Sequence, residues 1–298
     1  MSTFLQQLMN GLSLGSIYAL IALGYTMVYG VLRLINFAHG DVYMVGAYAG
    51  YYLSRRLQDK EPSVTSALFV LFGSMLACAL LGVIIERFAY RPLRHQARLS
   101  LLVTAIGVSL LIEACWQVFI GPDPKFFQSL APHRDFLVGD VRITSERLTV
   151  ILVSFLLMIA LRSFILKTRT GKAMRAVSYN LDAAKLMGIS TDRIIAATFA
   201  LGSALAAAAG VLIAMQTPKV EPLMGVQSGL KAFVAAVLGG IGSIPGAVLG
   251  GMLLGASEVM VTGYWSSTFR DAIAFGILIL VLLLRPRGIL GRVEKEKV

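Results

Sequence analysis

Five polar side chains interrupt the apolar sequence of this chain at places where chemistry could be done. They are Asn36, His39 and Asp41 in RLINFAHGDVYMVGAY, Glu113 in SLLIEACW and Glu258 in GASEVMV. An imidazole and a carboxylate two residues apart could relay a proton, and a carboxylate at depth in a membrane is costly enough to mark a transport pathway. For Glu113 and Glu258 the alternative is an interhelical hydrogen bond or a position near a span end. Catalysis finds no support. The three histidines, His39, His95 and His133, lack HExxH spacing, and no GxSxG nucleophile elbow occurs. Thr170-Gly171-Lys172 fails as a phosphate loop, because Leu166 stands where glycine is needed and Ala173 where serine or threonine is needed. In GGIGSIPG, Pro245 stands where a dinucleotide loop needs its third glycine. No catalytic residue, no metal site and no cofactor bound by this chain are therefore expected, and Cys78 and Cys115, both inside apolar runs, read as small core residues.

The elements that must position these residues are membrane helices. Of the 298 residues 57% are hydrophobic and 14% charged, against about 25% charged in an ordinary soluble protein. Apolar runs recur from Phe4 to Leu32, Val42 to Leu53, Val64 to Ile85, Leu99 to Ile120, Leu148 to Leu161, Ile194 to Met215, Leu230 to Leu238, Ala247 to Val261 and Ala272 to Leu284. A bilayer core needs roughly 20 helical residues, so several qualify outright and three are short. The expected fold is an all-α polytopic membrane protein, a bundle of about 8–9 transmembrane helices, some short or broken. MSTFLQQLMNG has no basic stretch before its apolar run and reads as a retained first span, not a signal peptide.

The net charge of +11 is explained by orientation. Arg87, Arg91, Arg94 and Arg98 follow the third run, seven basic residues lie from Arg162 to Arg193, and Arg285, Arg287, Arg292, Lys295 and Lys297 follow the last. If the spans alternate, these segments share one side, while residues 121–147 carry four basic and four acidic residues. By the positive-inside rule the N-terminus is outside, the C-terminus inside, and 121–147 is the periplasmic loop. No aromatic residues interleave the basic ones, so nucleic acid is not a partner. No loop is long enough for a core of its own, so residues 1–298 form a single transmembrane domain, with 167–193 as its cytoplasmic loop.

Small residues recur four apart at Gly11 and Gly15, Gly46 and Gly50, Gly202, Ala206 and Gly210, Gly246 and Gly250, and Gly251 and Gly255, as close helix packing in lipid requires. Two irregular places stand out. Gly40 separates two apolar runs, and Gly239, Gly240, Gly242 and Ser243 interrupt another, with Ser243 and Pro245 opening a new helix. Short, glycine-interrupted segments in both halves of a transporter point to broken helices around a pathway. Gly40, Gly239, Gly240, Gly242, Ser243, Glu113 and Glu258 are the pathway candidates on this reading. In the inner loop, NLDAAKLMGIS offers Asn180 or Asp182 as a helix cap and Gly188 as a stop, giving a one- to two-turn helix suited to a partner's groove.

Asp182-Ala183-Ala184-xxx-Gly188 resembles the EAA---G coupling-helix motif of bacterial ABC-importer permeases, with Asp in place of Glu. RLINFAHGDVYMVGAY and VLGGIGSIPGAVLGG closely resemble the LivH-type permease subunits of branched-chain amino acid importers, and the similarity runs from NGLSLGSIYALIALGYTMVYG to RPRGILG. The resemblance implies a multi-pass permease of the bacterial inner membrane that moves leucine, isoleucine or valine by alternating access. Its partners would be a second, LivM-type permease subunit, two cytoplasmic ATPases that bind ATP-Mg, and a periplasmic amino-acid-binding protein. Asp182, Ala183, Ala184 and Gly188 would touch the ATPase. The alternatives are an ABC permease for a sugar, nucleoside or amide, and an ion-coupled secondary transporter using Asp41, Glu113 and Glu258. Alternating topology puts Arg33 to Gly40 at the inner end of the first span, away from mid-membrane. Asn36, His39 and Asp41 then read as a structural hinge that caps the next helix.

Overall fold

The computed structural model describes residues 2–57, 62–94, 96–128, 130 and 134–291. His95, His133, Arg292, Lys295 and Lys297 lie outside the described residues. The helices are α1 (Ser2–Leu32), α2 (His39–Arg55), α3 (Val64–Ile85), α4 (Arg98–Phe119), α5 (Ser145–Lys167), α6 (Arg169–Tyr179), α7 (Leu181–Leu186), α8 (Thr191–Gln216), α9 (Met224–Gly239), α10 (Ile244–Tyr264) and α11 (Arg270–Leu284). A π-helical turn, Glu86–Tyr90, extends α3. Short strands β1 (Lys125–Phe126) and β4 (Lys219–Val220) pair antiparallel, as do β2 (Asp135–Val138) and β3 (Val141–Thr144). Seven helical segments are long and apolar enough to cross a membrane, among the described residues. α2 and α9, at 17 and 16 residues, fall short of that length.

The bundle has two ends, proximal where α1 begins and distal where it finishes. α10 runs antiparallel to α1, with Gly11 against Ala256 and Gly251 against Ala19, so its Tyr264 end is proximal. α3 runs antiparallel to α8 in the same way, with Gly82 against Phe199 and Ser203. The glycines and alanines spaced four apart lie at the crossings of α1 with α10, α1 with α8, α2 with α8 and α9 with α10, where small residues let backbones close on one another. α1 and α8 form the centre: the apolar window of α1 is 94% buried, against 17% in α4 and 6% in α11, whose outer faces are bare leucine, isoleucine and valine.

The contacts reveal an inverted repeat. α1, a break and α2, then α3, are matched by α8, a break and α9, then α10, running the opposite way. The most extensive pairings, α1 with α10 and α3 with α8, are equivalents under this relation, as are α2 with α3 and α9 with α10. Gly24 of α1 faces Gly202 of α8. Gly40, the second residue of α2, faces Gly225, the second residue of α9: a Cβ on either would come within 2.6 Å of the other's carbonyl oxygen. The second-half counterpart of the Gly40 break is therefore the segment 217–223, TPKVEPL, and not Gly239–Ser243.

The first break also lies deeper than alternation of spans implies. A Cβ on Gly24 would strike the His39 ring. Gly24 is eight residues before the end of α1, roughly 12 Å of helix rise. After Leu32 the chain, with Arg33 at φ 54°, folds back inside the bundle before α2 starts. His39 and Asp41 are each 1% exposed. Apolar runs give the order of spans but not the depth at which a half-length helix begins.

Candidate functional site

At the meeting of the two broken helices the polar side chains diverge onto different neighbours. The His39 ring lies edge-on to Tyr25 at 4.7 Å, and its Nε2 has no hydrogen-bond partner among the described residues. Asp41 turns instead toward α4: Ser109 Oγ donates to one of its oxygens and Glu113 stands beside it. Its other oxygen faces Gly225 at the start of α9, a position that the helix dipole favours for a carboxylate. Tyr90 donates to Asn36 Oδ1 at 2.8 Å, tying the break to the π turn after α3. The geometry brings Asp41 and Glu113 together but separates His39 from both. Between this region and the Gly239–Ser243 turn, a cavity lined by Tyr25, Ile35, Phe233 and Ile241 has a volume of about 10 Å³, room for no more than one water.

Gly239, Gly240, Gly242 and Ser243 form a turn at the distal end. α9 and α10 approach so closely there that a Cβ on Gly239 would meet the Gly246 carbonyl oxygen at 1.9 Å. Gly240 adopts φ 104°, open to glycine alone at low cost. Ser243 Oγ accepts from the Gly246 N–H at 3.2 Å, capping α10. The chain after α11 closes the turn: Ile289 and Leu290 donate their N–H groups to the carbonyls of Leu238 and Gly239, both at 2.9 Å.

Two ion clusters sit at opposite ends of the bundle. In the proximal one, Glu258 of α10 is 1% exposed and accepts from Tyr18 at 2.9 Å, Lys231 at 2.9 Å and Arg270, while Lys231 also pairs with Asp271 at 2.7 Å. In the distal one, Glu86 is 2% exposed and pairs with Arg94, which bridges to Asp192 at 2.7 Å; Arg91 completes the group on Asp192. Sequence reasoning named Glu258 but missed its partners. Lys231 was there to be found as the lone cation in the run Leu230–Leu238, by the same rule that singled out Glu113. Pro218 and Pro222 flanking KVE were the available signal for the second break.

At the distal end α7 projects from the bundle. Asn180, not Asp182, is its cap: Oδ1 accepts from the N–H groups of Asp182 and Ala183, both at 3.0 Å. Gly188 ends the turn at φ 78°. Ala184 packs inward, while Asp182, Ala183 and Gly188 face out beside Tyr179, Leu186 and Met187, which are 80%, 89% and 82% exposed. These large apolar side chains lie bare next to a capped helical turn.

The sequence matches known permeases along nearly its whole length. Residues 7–282 match the family model described as branched-chain amino acid transport system, permease component. This chain belongs to that family. It is similar to the high-affinity branched-chain amino acid transport system permease protein LivH of Salmonella typhimurium, 45% identical over 99% of this chain and 98% of the relative. Against BraD of Pseudomonas aeruginosa, a permease protein of the same description, identity is 46% over the same shares. A more distant relative is the autoinducer 2 import system permease protein LsrC of Escherichia coli, 34% identical over 88% of this chain and 79% of the relative. The chain is thus a multi-pass transport permease of the inner membrane, with apolar helices of spanning length.

Proposed function

We propose that this permease is one membrane subunit of an ATP-driven importer that carries branched-chain amino acids into the cell by alternating access. The observation that carries this reading is α7, an exposed, capped helical turn between two helices of the bundle, in a chain whose LivH and BraD relatives share almost half its residues. The distal end is the cytoplasmic one. Arg87, Arg91, Arg94, the basic residues of 167–193, Arg285 and Arg287 all gather there, which supports an outside N-terminus and an inside C-terminus. On this reading α2 and α9 complete nine spans by crossing as short helices whose breaks meet at Gly40 and Gly225.

Two cytoplasmic ATPases bind ATP-Mg and close on it, pushing α7 of this subunit and the equivalent helix of a second, LivM-type permease. Asp182, Ala183, Ala184, Gly188, Leu186 and Met187 make the contact, and a periplasmic binding protein docks on the proximal end. The pathway runs past the broken helices, where Asp41 and Glu113 are the polar groups within reach of a zwitterion. Gly239, Gly240, Gly242 and Ser243 serve it as the turn on which α9 and α10 pivot. Glu258, held by three partners, acts as structure, which leaves the ion-coupled alternative without a free carboxylate at that position.

The test is ATP-dependent uptake of leucine in vesicles holding the whole complex. Ala184→Trp and Gly188→Val should each cut uptake at least about tenfold while the bundle itself still inserts, and unimpaired uptake in both would remove α7 as the coupling element. A cargo other than an amino acid, favoured by the LsrC relationship, would appear as the absence of ATP-dependent leucine uptake by the wild-type complex.

A further inference from the structure

A cavity of about 380 Å³ opens at the proximal end, between the start of α5, the end of α8 and the loop that carries β1. Its size falls within the range of small-molecule sites, about 300–1,000 Å³, and is far below what a protein segment with its own fold would need. Arg147 and Glu146 form one wall, from the first turn of α5. Consecutive helical residues point about 100° apart, so the guanidinium and the carboxylate lie at separate points of that wall. Phe127, itself 4% exposed, Met215 and Pro218 supply the apolar wall. Gln216 lies between them, its Oε1 accepting from Ser13 Oγ of α1 at 3.0 Å.

Below this cavity hydroxyls continue into the seam between α1, α5 and α8. Val150 and Ser154 follow Arg147 by three and seven residues and therefore share its face of α5. Ser154 is fully buried, and its Oγ has no hydrogen-bond partner among the described residues. On the α1 side Ser13 and Ser16 are equally buried, with Ser16 Oγ donating to the Ser13 carbonyl at 2.8 Å. A buried hydroxyl without a protein partner costs free energy that a water or a polar ligand reaching it would offset.

We propose that this cavity is an entrance subsite for a free α-amino acid, a zwitterion with an apolar side chain, between its release from the soluble receptor and its passage through the bundle. The ligand carboxylate pairs with Arg147, whose planar fork matches it. The ammonium faces the Glu146 carboxylate, which also accepts from Ser145 Oγ at 3.4 Å, and the Gln216 amide oxygen. The side chain lies against Phe127, Met215 and Pro218. The inference rests on the reading above that the proximal end faces outward and that the cargo is an amino acid. A zwitterionic lipid headgroup carries the same two charges, but its acyl chains would have to leave a space walled by the β1–β4 loops.

The test uses the assembled permease–ATPase complex in nanodiscs, without the soluble receptor and without ATP, with radiolabelled leucine as probe and leucinamide and 4-methylpentanoate, which lack the carboxylate and the ammonium, as competitors. Arg147→Ala should weaken leucine binding about 10- to 100-fold, as loss of a charge-assisted pair does, and should erase the preference for leucine over leucinamide. Glu146→Gln should erase the preference over 4-methylpentanoate instead. Met215→Trp should abolish binding by filling the space. If Arg147→Ala fails to assemble by size-exclusion chromatography, Arg147→Lys and Met215→Trp carry the test. Wild-type affinity in these variants, or weaker binding with the analogue preferences intact, overturns the proposal, as does a lipid that co-purifies with the wild type and is lost in Arg147→Ala while leucine binding is unchanged. ATP-driven leucine uptake by the wild-type complex separates the two ideas: with uptake present and the variants normal, the subsite alone falls; with uptake absent, the cargo reading falls with it.

Discussion

The proximal and distal ion clusters are made of the same parts, one around Glu258 of α10 and the other around Glu86 at the end of α3, the helix that the inverted repeat pairs with α10. Each has a carboxylate withdrawn from solvent, Glu258 or Glu86, a nearly buried cation, Lys231 or Arg94, a half-exposed cation, Arg270 or Arg91, and an exposed Asp, Asp271 or Asp192. Each is neutral as a whole. They differ in what they tie together. Glu258 collects α1 through Tyr18, α9 through Lys231 and α11 through Arg270, so four helices converge on one side chain. Glu86 joins only the loop after α3 and, through Arg94, the first turn of α8; the nearby tyrosine, Tyr90, serves Asn36 of the break instead. One scheme used twice thus yields a proximal end bound more firmly than the distal one.

The largest effect should come from breaking the firmer end. Glu258→Ala removes the carboxylate on which Tyr18, Lys231 and Arg270 converge, leaving nearly buried Lys231 with Asp271 alone, and breaking a buried pair costs up to about 3–5 kcal/mol; because Glu86 joins fewer elements, the melting temperature in detergent should fall far more than in Glu86→Ala, and equal losses would erase the distinction between the ends. Next come Gly40→Ala and Gly225→Ala. Each drives a methyl into the other's backbone, and overpacking of this kind costs about 1–3 kcal/mol. Because the contact is reciprocal, the two losses should match, and thermal melts of both single variants and the double will show whether they act on one interface. Tyr90→Phe removes the bond to Asn36 at about 0.6 kcal/mol, a typical value for such bonds in membranes, and should raise uptake sensitivity to temperature without loss of assembly. Arg91→Ala, touching a half-exposed pair, should shift the melt by the least, on the order of 0.2–1 kcal/mol.

Much of the fold could be read before any coordinates. The apolar runs became helices in the expected order, and the glycines spaced four apart proved to lie at the crossings of α1 with α10 and of α2 with α8. Local chemistry was also legible: Ser243 caps α10, and Gly188 ends α7 in the left-handed region. What escaped was relational. Lys231 and Glu258 are 27 residues apart, and no periodicity says which face of α9 meets which face of α10. The repeat left no residue identity to follow, because what it preserves is a close approach of backbones, satisfied by Gly40 against Gly225 and needing nothing similar around them. In sequence, the six-residue return of RLINFAHGD into the bundle looks like an ordinary connection at the end of a span.

The bonds from Ile289 and Leu290 to the last carbonyls of α9 carry a consequence for synthesis. When α9 and α10 leave the translocon, the acceptors at Leu238 and Gly239 have no donors; these are encoded about 50 residues further along the chain and arrive only after α11 has been threaded. The distal end of this hairpin is therefore finished by a segment that must come back to it, and a chain stopped short of Ile289 would present the quality-control machinery with an unsealed helix end.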